Sequence, residues 1–457
     1  MAGEAEGAGE PLSPRSGRAC FTDALNGAVD VRPDEVRALL MGFAFFFCVL
    51  SGWFVLRPIR EAAAVTAGVS RLPWLFAGTL TAMLVCNPIF SALVARYPVR
   101  RFISITYRFF IANLLVFYVL MRAVNPLEGA AIDAWVGRAF FVWTSVFNLF
   151  VVSVFWCFMA DFFQSEQAKR LFGFIAVGGT LGSIAGSGAT AVLAARIGTP
   201  NLLLISAALL ELAVLTVVKF PERGTDGGAT AGAPAPFATL TIGGSTWAGI
   251  THVVRSPYLL GISAFLLLLT IGSTVLYFEQ TAIIGRSYGD HAARTTVLAQ
   301  IELAVQLLTL VTQLLITGRF IRWAGLAAAL SFLPLLSMVG FAALGATPLF
   351  ATLAVFIVLR RGGNFAINNP AMEILFTVVP REDKYKAKSF IETFVYRGGD
   401  QVGAWTFAGL SALGLGLAGV AFVAVPIAAI WLALAVWLGR RQSALAANAL
   451  GASGAFR

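Results

Sequence analysis

Apolar residues along this chain fall in long blocks. They neither alternate with polar residues, as in a half-buried strand, nor recur as the one-sided stripe of a surface helix. A helix needs about 20 mostly apolar residues to cross the hydrocarbon layer of a bilayer. Twelve blocks reach that scale, at roughly 37–58, 73–95, 102–122, 139–163, 172–195, 201–219, 258–283, 295–317, 325–345, 348–379, 389–413 and 417–438. Polar or Pro/Gly-bearing breaks separate them, among them Arg96 to Arg101, Asn125-Pro126, Gly318 to Arg322 and Thr347-Pro348. The short alternating segments of a membrane barrel are missing. The pattern predicts an all-α membrane protein of twelve transmembrane helices.

The chain also resembles itself at a shift of about 220 residues. Val55-Leu56 returns as Val275-Leu276, Ala168-Lys169 as Ala387-Lys388, and Gly178-Gly179 as Gly398-Gly399, while the basic loop Arg96 to Arg101 is answered by Arg319 to Arg322. Four matches in one order at nearly one offset predict two pseudo-symmetric six-helix bundles, 37–220 and 258–440. A hydrophilic cytoplasmic linker, 221–257, would join them, with the low-complexity segment Gly224 to Pro236 inside it. Residues 1–36 read as a disordered cytoplasmic tail without a cleavable apolar stretch, and 441–457 as a C-terminal tail. This layout resembles the major facilitator superfamily. The resemblance implies that spans 1, 4, 7 and 10 line a central cavity, and it places Arg96, Arg101, Arg319 and Arg322 in the gating loops after spans 2 and 8.

Composition sharpens the reading. The chain is 58% hydrophobic and only 12% charged over 457 residues, against roughly a quarter charged in a soluble domain. The formal net charge of +10 could suggest a polyanion partner, but position gives another meaning. With the N-terminus in the cytoplasm, Arg71, Arg122, Arg138, Arg196, Arg286 and Arg294 fall on the opposite side. Arg57, Arg60, Arg108, Arg360, Arg361 and Arg397 lie in or at the edges of spans, and the remaining Lys and Arg are cytoplasmic. That is the positive-inside bias, so both termini are expected in the cytoplasm, the bilayer is the bacterial inner membrane, and nucleic acid is not a partner. Cys20, Cys48, Cys86 and Cys157 are scattered without metal or disulfide spacing, and His252 and His291 fall in loops. No nucleophile–base pair or cofactor motif emerges, so an enzyme is not expected.

The informative residues are polar ones inside spans, because an ionised group at the bilayer centre costs about 2.5–3.5 kcal/mol on insertion scales. Arg57 and Arg60 share a face of span 1, Pro58 between them predicts a kink, and Glu61 follows. They read either as cavity residues or as a helix end reaching for the far interface, with Arg60 paired to Glu61. Glu279 in span 7 is a candidate partner for a first-span Arg. In span 10, Arg360-Arg361-Gly362-Gly363-Asn364, then Asn368-Asn369-Pro370 and Glu373, predict an unwound or bent cavity helix, or else a loop between two half-spans. At span 11, Lys384, Lys386 and Lys388 precede Glu392, and Arg397 and Asp400 are spaced to pair. Gly178, Gly182 and Gly186 read as a seam for close helix packing, not as a phosphate loop.

These residues resemble a family, the ATP/ADP translocases of plastids and obligate intracellular bacteria, which are nucleotide transporters of major facilitator type. Span 1 of the family is similar to Leu56-Arg57-Pro58-Ile59-Arg60-Glu61, with Lys usual in place of Arg60. Phe155-Trp156, Glu166-Gln167-Ala168-Lys169-Arg170 and Phe172-Gly173 resemble its junction of spans 4 and 5. Glu279, Pro370 with Glu373, and Lys386-Ala387-Lys388 with Arg397 resemble its spans 7, 10 and 11. Two departures alter the cavity charge: no acid lies near Thr144, and Asp400 stands where the family tends to have Lys.

The expected function is therefore alternating-access transport of an anionic, nucleotide-like or phosphorylated solute, with ATP/ADP exchange as one form of it, by a monomer. Arg60, Arg361 and Arg397 would bind phosphate oxygens, with Arg57, Arg360, Asn364 and Asp400 around them, and Glu279 would hold the empty cavity neutral. Glu61, Lys169, Arg170, Glu373 and Lys388 join the gating arginines as structural positions. Two alternatives keep the chain in the membrane: a proton-driven carrier titrating Glu279 or Asp400, and a transport-dead receptor or assembly factor.

Overall fold

A backbone surrounded by hydrocarbon must satisfy its N–H and C=O groups within its own segment, so each apolar block folds as a helix. The structure, a computed structural model, describes residue 32 and residues 35–96, 99–123, 130–163, 165–221, 253–379 and 391–454. The N-terminal tail, most of the interbundle linker and Lys388 lie outside them. Among the described residues there are helices and no strands. The first half comprises α1 (Val36–Ala67), α2 (Leu72–Arg96), α3 (Val99–Ala123), α4 (Ala130–Phe162), α5 (Ser165–Ile197) and α6 (Thr199–Val218). The second comprises α7 (Pro257–Ser287), α8 (His291–Thr312), α9 (Gly318–Ala346), α10 (Phe350–Gly363, continued by Asn369–Leu375), α11 (Tyr396–Ala412) and α12 (Leu417–Gly454). Side A is where α1 begins, and side B is where it ends.

Four segments differ from the sequence reading in ways that matter. Helix α1 runs on to Ala67, so Arg57, Arg60 and Glu61 lie inside the helix and not at an end reaching for the interface. The break expected at Gly318 to Arg322 is helical: a π turn at Gln313–Thr317 carries α8 into α9, and the chain reverses at Gly325. A reversal is required, since the 56 residues of His291–Ala346 would otherwise extend about 84 Å at 1.5 Å per residue. Gly325 provides it with φ of +79°, open to glycine without a Cβ penalty. Helix α10 neither unwinds nor breaks into half-spans, because a π turn at Asn364–Asn368 absorbs the glycine-rich stretch. Finally, α12 continues to Gly454, where the Ala/Leu-rich sequence favours helix over the expected tail.

The internal repeat appears as packing. Helix α5 lies on α1 and α11 lies on α7. A Cβ on Gly179 would fall 2.8 Å from Leu50, and one on Gly399 would strike Thr270, both partners displaced by the same repeat. Gly182 and Gly186 approach the carbonyls of Phe47 and Ser51 so closely that neither tolerates a side chain. The glycine seam is thus structural, as small residues let helix backbones approach in lipid.

The halves meet through α5 on α8, α1 on α8 and α7, and α2 on α11. Apolar burial is uneven across that meeting. One core belongs to the first half and another to the second. A third joins Ala62, Val65, Leu72 and Phe141 to Val275, Phe278, Ile284 and Phe407 toward side B. There Arg294 Nη1 also donates to Thr66 Oγ1 at 3.2 Å, and Trp74 meets Trp405 edge-on at 5.4 Å. Among the described residues no apolar core joins the halves toward side A.

Candidate functional site

Arg60 leaves the middle of α1 toward α4. Its Nε donates to Ser145 Oγ at 3.1 Å, its Nη1 to Glu61 Oε1 at 3.1 Å, and its guanidinium carbon lies 4.0 Å from the Phe141 ring centroid. A cation that stacks on an aromatic face and keeps a fork of donors is held in one orientation without losing its charge. Across the chamber, Arg397 on α11 pairs with Asp400 at 3.4 Å, and Asp400 accepts from Thr274 of α7 at 3.4 Å. A central cavity of about 140 Å3 lies between these groups, lined also by Trp53, Phe76, Asn148 and Gln401. Its walls come from α1 and α4, two of the four expected spans, and from α2 and α11 in place of spans 7 and 10.

Arg57 turns toward the second half. Its Nη1 donates to Glu302 Oε1 of α8 at 3.1 Å, and its Nε lies 3.9 Å from Glu61. Arg361 of α10 approaches the other oxygen of Glu302 at 2.7 Å. Gln306 donates to Glu302 at 2.9 Å and accepts from Ser183 of α5 at 3.2 Å. One carboxylate thus ties α1, α8 and α10, and through Gln306 also α5. Glu302 is 4% exposed, whereas Arg57 and Arg361 keep 21% and 23%. The carboxylate is locked away while both cations retain an accessible edge. Arg57, Arg60, Arg361 and Arg397 against Glu61, Glu302 and Asp400 leave one positive charge in excess, because guanidinium does not deprotonate in proteins.

Other expected residues stand apart. Arg360 is 3% exposed and ties α10 to α9 and α7, donating to Ser337 Oγ at 2.9 Å, Ser273 Oγ at 3.0 Å and the Leu269 carbonyl at 3.2 Å. Glu279 is fully buried, and neither carboxylate oxygen has a hydrogen-bond partner. It does not pair with Arg57 or Arg60, and Glu302 takes the neutralising position expected of it. Asn364 accepts from Asn368 at 3.0 Å within the π turn. Arg170 pairs with Glu35 at 3.0 Å at the start of α1. Arg101, Arg319 and Arg322 are exposed on side A, the last two donating to carbonyls of their own helix. Glu373 is exposed on the wall of a second cavity. The side chains of Arg96 and Lys169 lie outside the described residues.

Sequence reasoning passed over Glu302. The signal was present, since a carboxylate inside the apolar block 295–317 needs a partner as much as any intramembrane arginine does.

Comparison with known proteins agrees with this geometry at the level of fold. No family model matches the chain. It is 26% identical over 228 residues to ADP,ATP carrier protein 2 of Chlamydia pneumoniae, an alignment spanning 44% of this chain and 42% of that relative. Among solved structures it is similar to an auto-inhibited POT family peptide transporter (TM-score 0.58, 14% identity, 88% of this chain and 96% of the other). It is also similar to a mutant of the nucleoside transporter NupG (TM-score 0.53, 13% identity, 90% and 99%). The fold is that of the major facilitator transporters. A bacterial homologue of the human lysosomal transporter Spinster, solved inward-facing and unoccupied, shares it too (TM-score 0.53, 12% identity, 91% and 96%). The chain is a multi-pass membrane protein whose similar chains are carriers and transporters, not enzymes.

Proposed function

We propose that this protein is a monomeric alternating-access carrier of an anionic, nucleotide-like or phosphorylated solute, with ATP/ADP exchange as its specific form. The observation that carries the reading is the pair of guanidiniums, Arg60 and Arg397, on a chamber between the halves, with Arg57 and Arg361 paired to Glu302 and one positive charge in excess over the group. Arg60 and Arg397 face the central cavity and present forked donors suited to phosphate oxygens. Arg57 and Arg361 are held in reserve by Glu302. When a multivalent anion arrives, one of these cations exchanges its carboxylate partner for the solute. An empty carrier must restore those ion pairs before it moves, which favours exchange over one-way flow. The partial similarity to an ADP,ATP carrier supports the solute class. The basic residues Arg100, Arg101, Arg319, Arg322, Arg440 and Arg441 at side A support a cytoplasmic placement of that side in a bacterial inner membrane.

Proteoliposomes test the reading. Uptake of labelled ATP or ADP should require internal counter-substrate, and Arg60→Ala should lower it about a hundredfold, the scale of losing one desolvated charge contact. Arg60→Lys should recover only part, because the charge returns without the fork. Equal uptake by Arg60→Ala refutes the assignment. A second reading, proton-driven transport, is favoured by Glu279, a buried carboxyl whose oxygens have no hydrogen-bond partner. It predicts uptake driven by an imposed pH gradient without counter-substrate and abolished in Glu279→Gln.

A further inference from the structure

The central cavity cannot enclose a whole nucleotide. Its roughly 140 Å3 is well below the 300–1,000 Å3 typical of sites that surround a drug-sized ligand. A second cavity, of about 610 Å3, lies in the second half between α7, α8, α10 and α11. Its wall is built at the π turns. Those turns displace backbone from the α-helical ladder, as π-bulges frequently do at functional sites. Gln313 of one π turn donates to the carbonyl of Phe365 in another, and Thr317 donates to that of Ala366. Asn368 and Asn369 follow, and the Oδ1 of Asn368 is buried without a hydrogen-bond partner.

The two cavities flank the start of α11. Tyr396 lines the larger one and Arg397 the smaller, with the Arg397 guanidinium carbon 5.8 Å from the Tyr396 ring centroid. Their polar linings differ in kind. The larger cavity has no Lys or Arg among its described lining residues, and it carries the carboxylate of Glu373. Phosphate is drawn to Arg60 and Arg397 of the smaller cavity. What the wall offers is flat apolar surface from Phe365 and Phe376 with neutral amide donors and acceptors from Gln313 and Asn369.

Resting on the anion-carrier reading, we infer that this second cavity is the subsite for the uncharged aromatic heterocycle of the solute, a nucleobase, with its phosphate groups directed to Arg60 and Arg397. The base stacks on Phe365, and its ring edge exchanges hydrogen bonds with Asn369 and Gln313.

The test compares ATP with inorganic tripolyphosphate, which carries the charge without the base, on the full chain purified in detergent. Wild-type protein should bind ATP more tightly than tripolyphosphate. Asn369→Ala, at an exposed position, and Phe365→Leu, which keeps apolar bulk, should each weaken ATP binding roughly tenfold, the scale of one stacking or hydrogen-bonding contact. The ratio of ATP to tripolyphosphate affinity should fall with them. Equal binding of ATP and tripolyphosphate by the wild type overturns the subsite while leaving the anion carrier standing, as does an unchanged ratio in both variants. Binding of neither compound overturns both.

Discussion

Glu302→Gln is the most exacting perturbation of the site, because it removes one charge while keeping the shape and the amide acceptor for Gln306. In the native protein Glu302 neutralises Arg57 at 3.1 Å and Arg361 at 2.7 Å. Deleting one partner of a buried ion pair costs about 3–5 kcal/mol. Here Arg57 keeps Glu61 at 3.9 Å, and both guanidiniums remain about a fifth exposed, so water screens part of the loss. A penalty of about 1–3 kcal/mol follows, seen as a melting temperature lowered by a few degrees in detergent. The freed cations should then bind a multivalent anion better. Recovering one charge-assisted contact, about 1.4 kcal/mol, corresponds to tenfold tighter tripolyphosphate binding. Saturating tripolyphosphate should therefore raise the melting temperature more in the variant than in the wild type. Unchanged stability, or weaker anion binding in the variant, refutes Glu302 as the group the solute displaces.

Further outcomes separate structural from solute-binding roles. Arg360→Met should leave tripolyphosphate affinity within about twofold of wild type while Arg361→Met weakens it about tenfold or more, measured by titration, because Arg360 spends its donors on Ser337, Ser273 and Leu269. Gly182→Val should abolish a monodisperse fold on size-exclusion chromatography, since its side chain would enter the Phe47 backbone, whereas Gly173→Val, with open space around it, should not. A Cβ on Gly285 lies 3.4 Å from Val65 Cγ1, so Val65→Cys with Gly285→Cys, in a chain lacking its native cysteines, should form a reducible cross-link that blocks transport. At the start of α1, burial would raise the Glu35 carboxyl. The Arg32 N–H, Gln167 and Arg170 outweigh burial and hold it below its ordinary value of 4.5. Its stabilisation is therefore full above that pH and lost as pH falls through the lower folded value. The melting-temperature gap between wild type and Glu35→Gln should be constant near neutrality and close below about pH 4.

Much of this was legible in the sequence because lipid leaves a chain few options. Twelve apolar blocks imply helices, and the glycines of α5 and α11 declare the repeat before any packing is seen. Charge was legible in kind but not in direction. Arg360 and Arg361 are adjacent and both lie in an apolar span, yet about 100° of helical rotation sends one into a clamp of serines and the other to Glu302. Which neighbour meets Glu302 depends on the rotation of α10, which its hydrophobic pattern did not resolve. The π turns escaped for a related reason. Gly362, Gly363 and Pro370 announce an irregular helix, but unwinding and an inserted residue share those signals, and α8 and α9 packed on α10 decide between them.

The distribution of contact types between the halves carries the remaining argument for an exchanger. Toward side B the halves are held by apolar surface and ring contacts such as Phe76 with Tyr277 and Phe278. Apolar contact is non-directional and can separate and re-form without a fixed register. Between α5, α8 and α1 the contacts are directional: Ser183 to Gln306, Gln306 to Glu302, Arg57 to Glu302. Such a network keeps its geometry only while every member is satisfied. In the proposed cycle the apolar seam is therefore the gate and the hydrogen-bonded charges are the pivot. Opening the gate exposes apolar area, a cost that closure toward side A must offset. The pivot tolerates that motion when its cations are satisfied, either by Glu302 or by the phosphate of a bound solute, and resists it in the intermediate condition where an arginine has left one partner and not met the other.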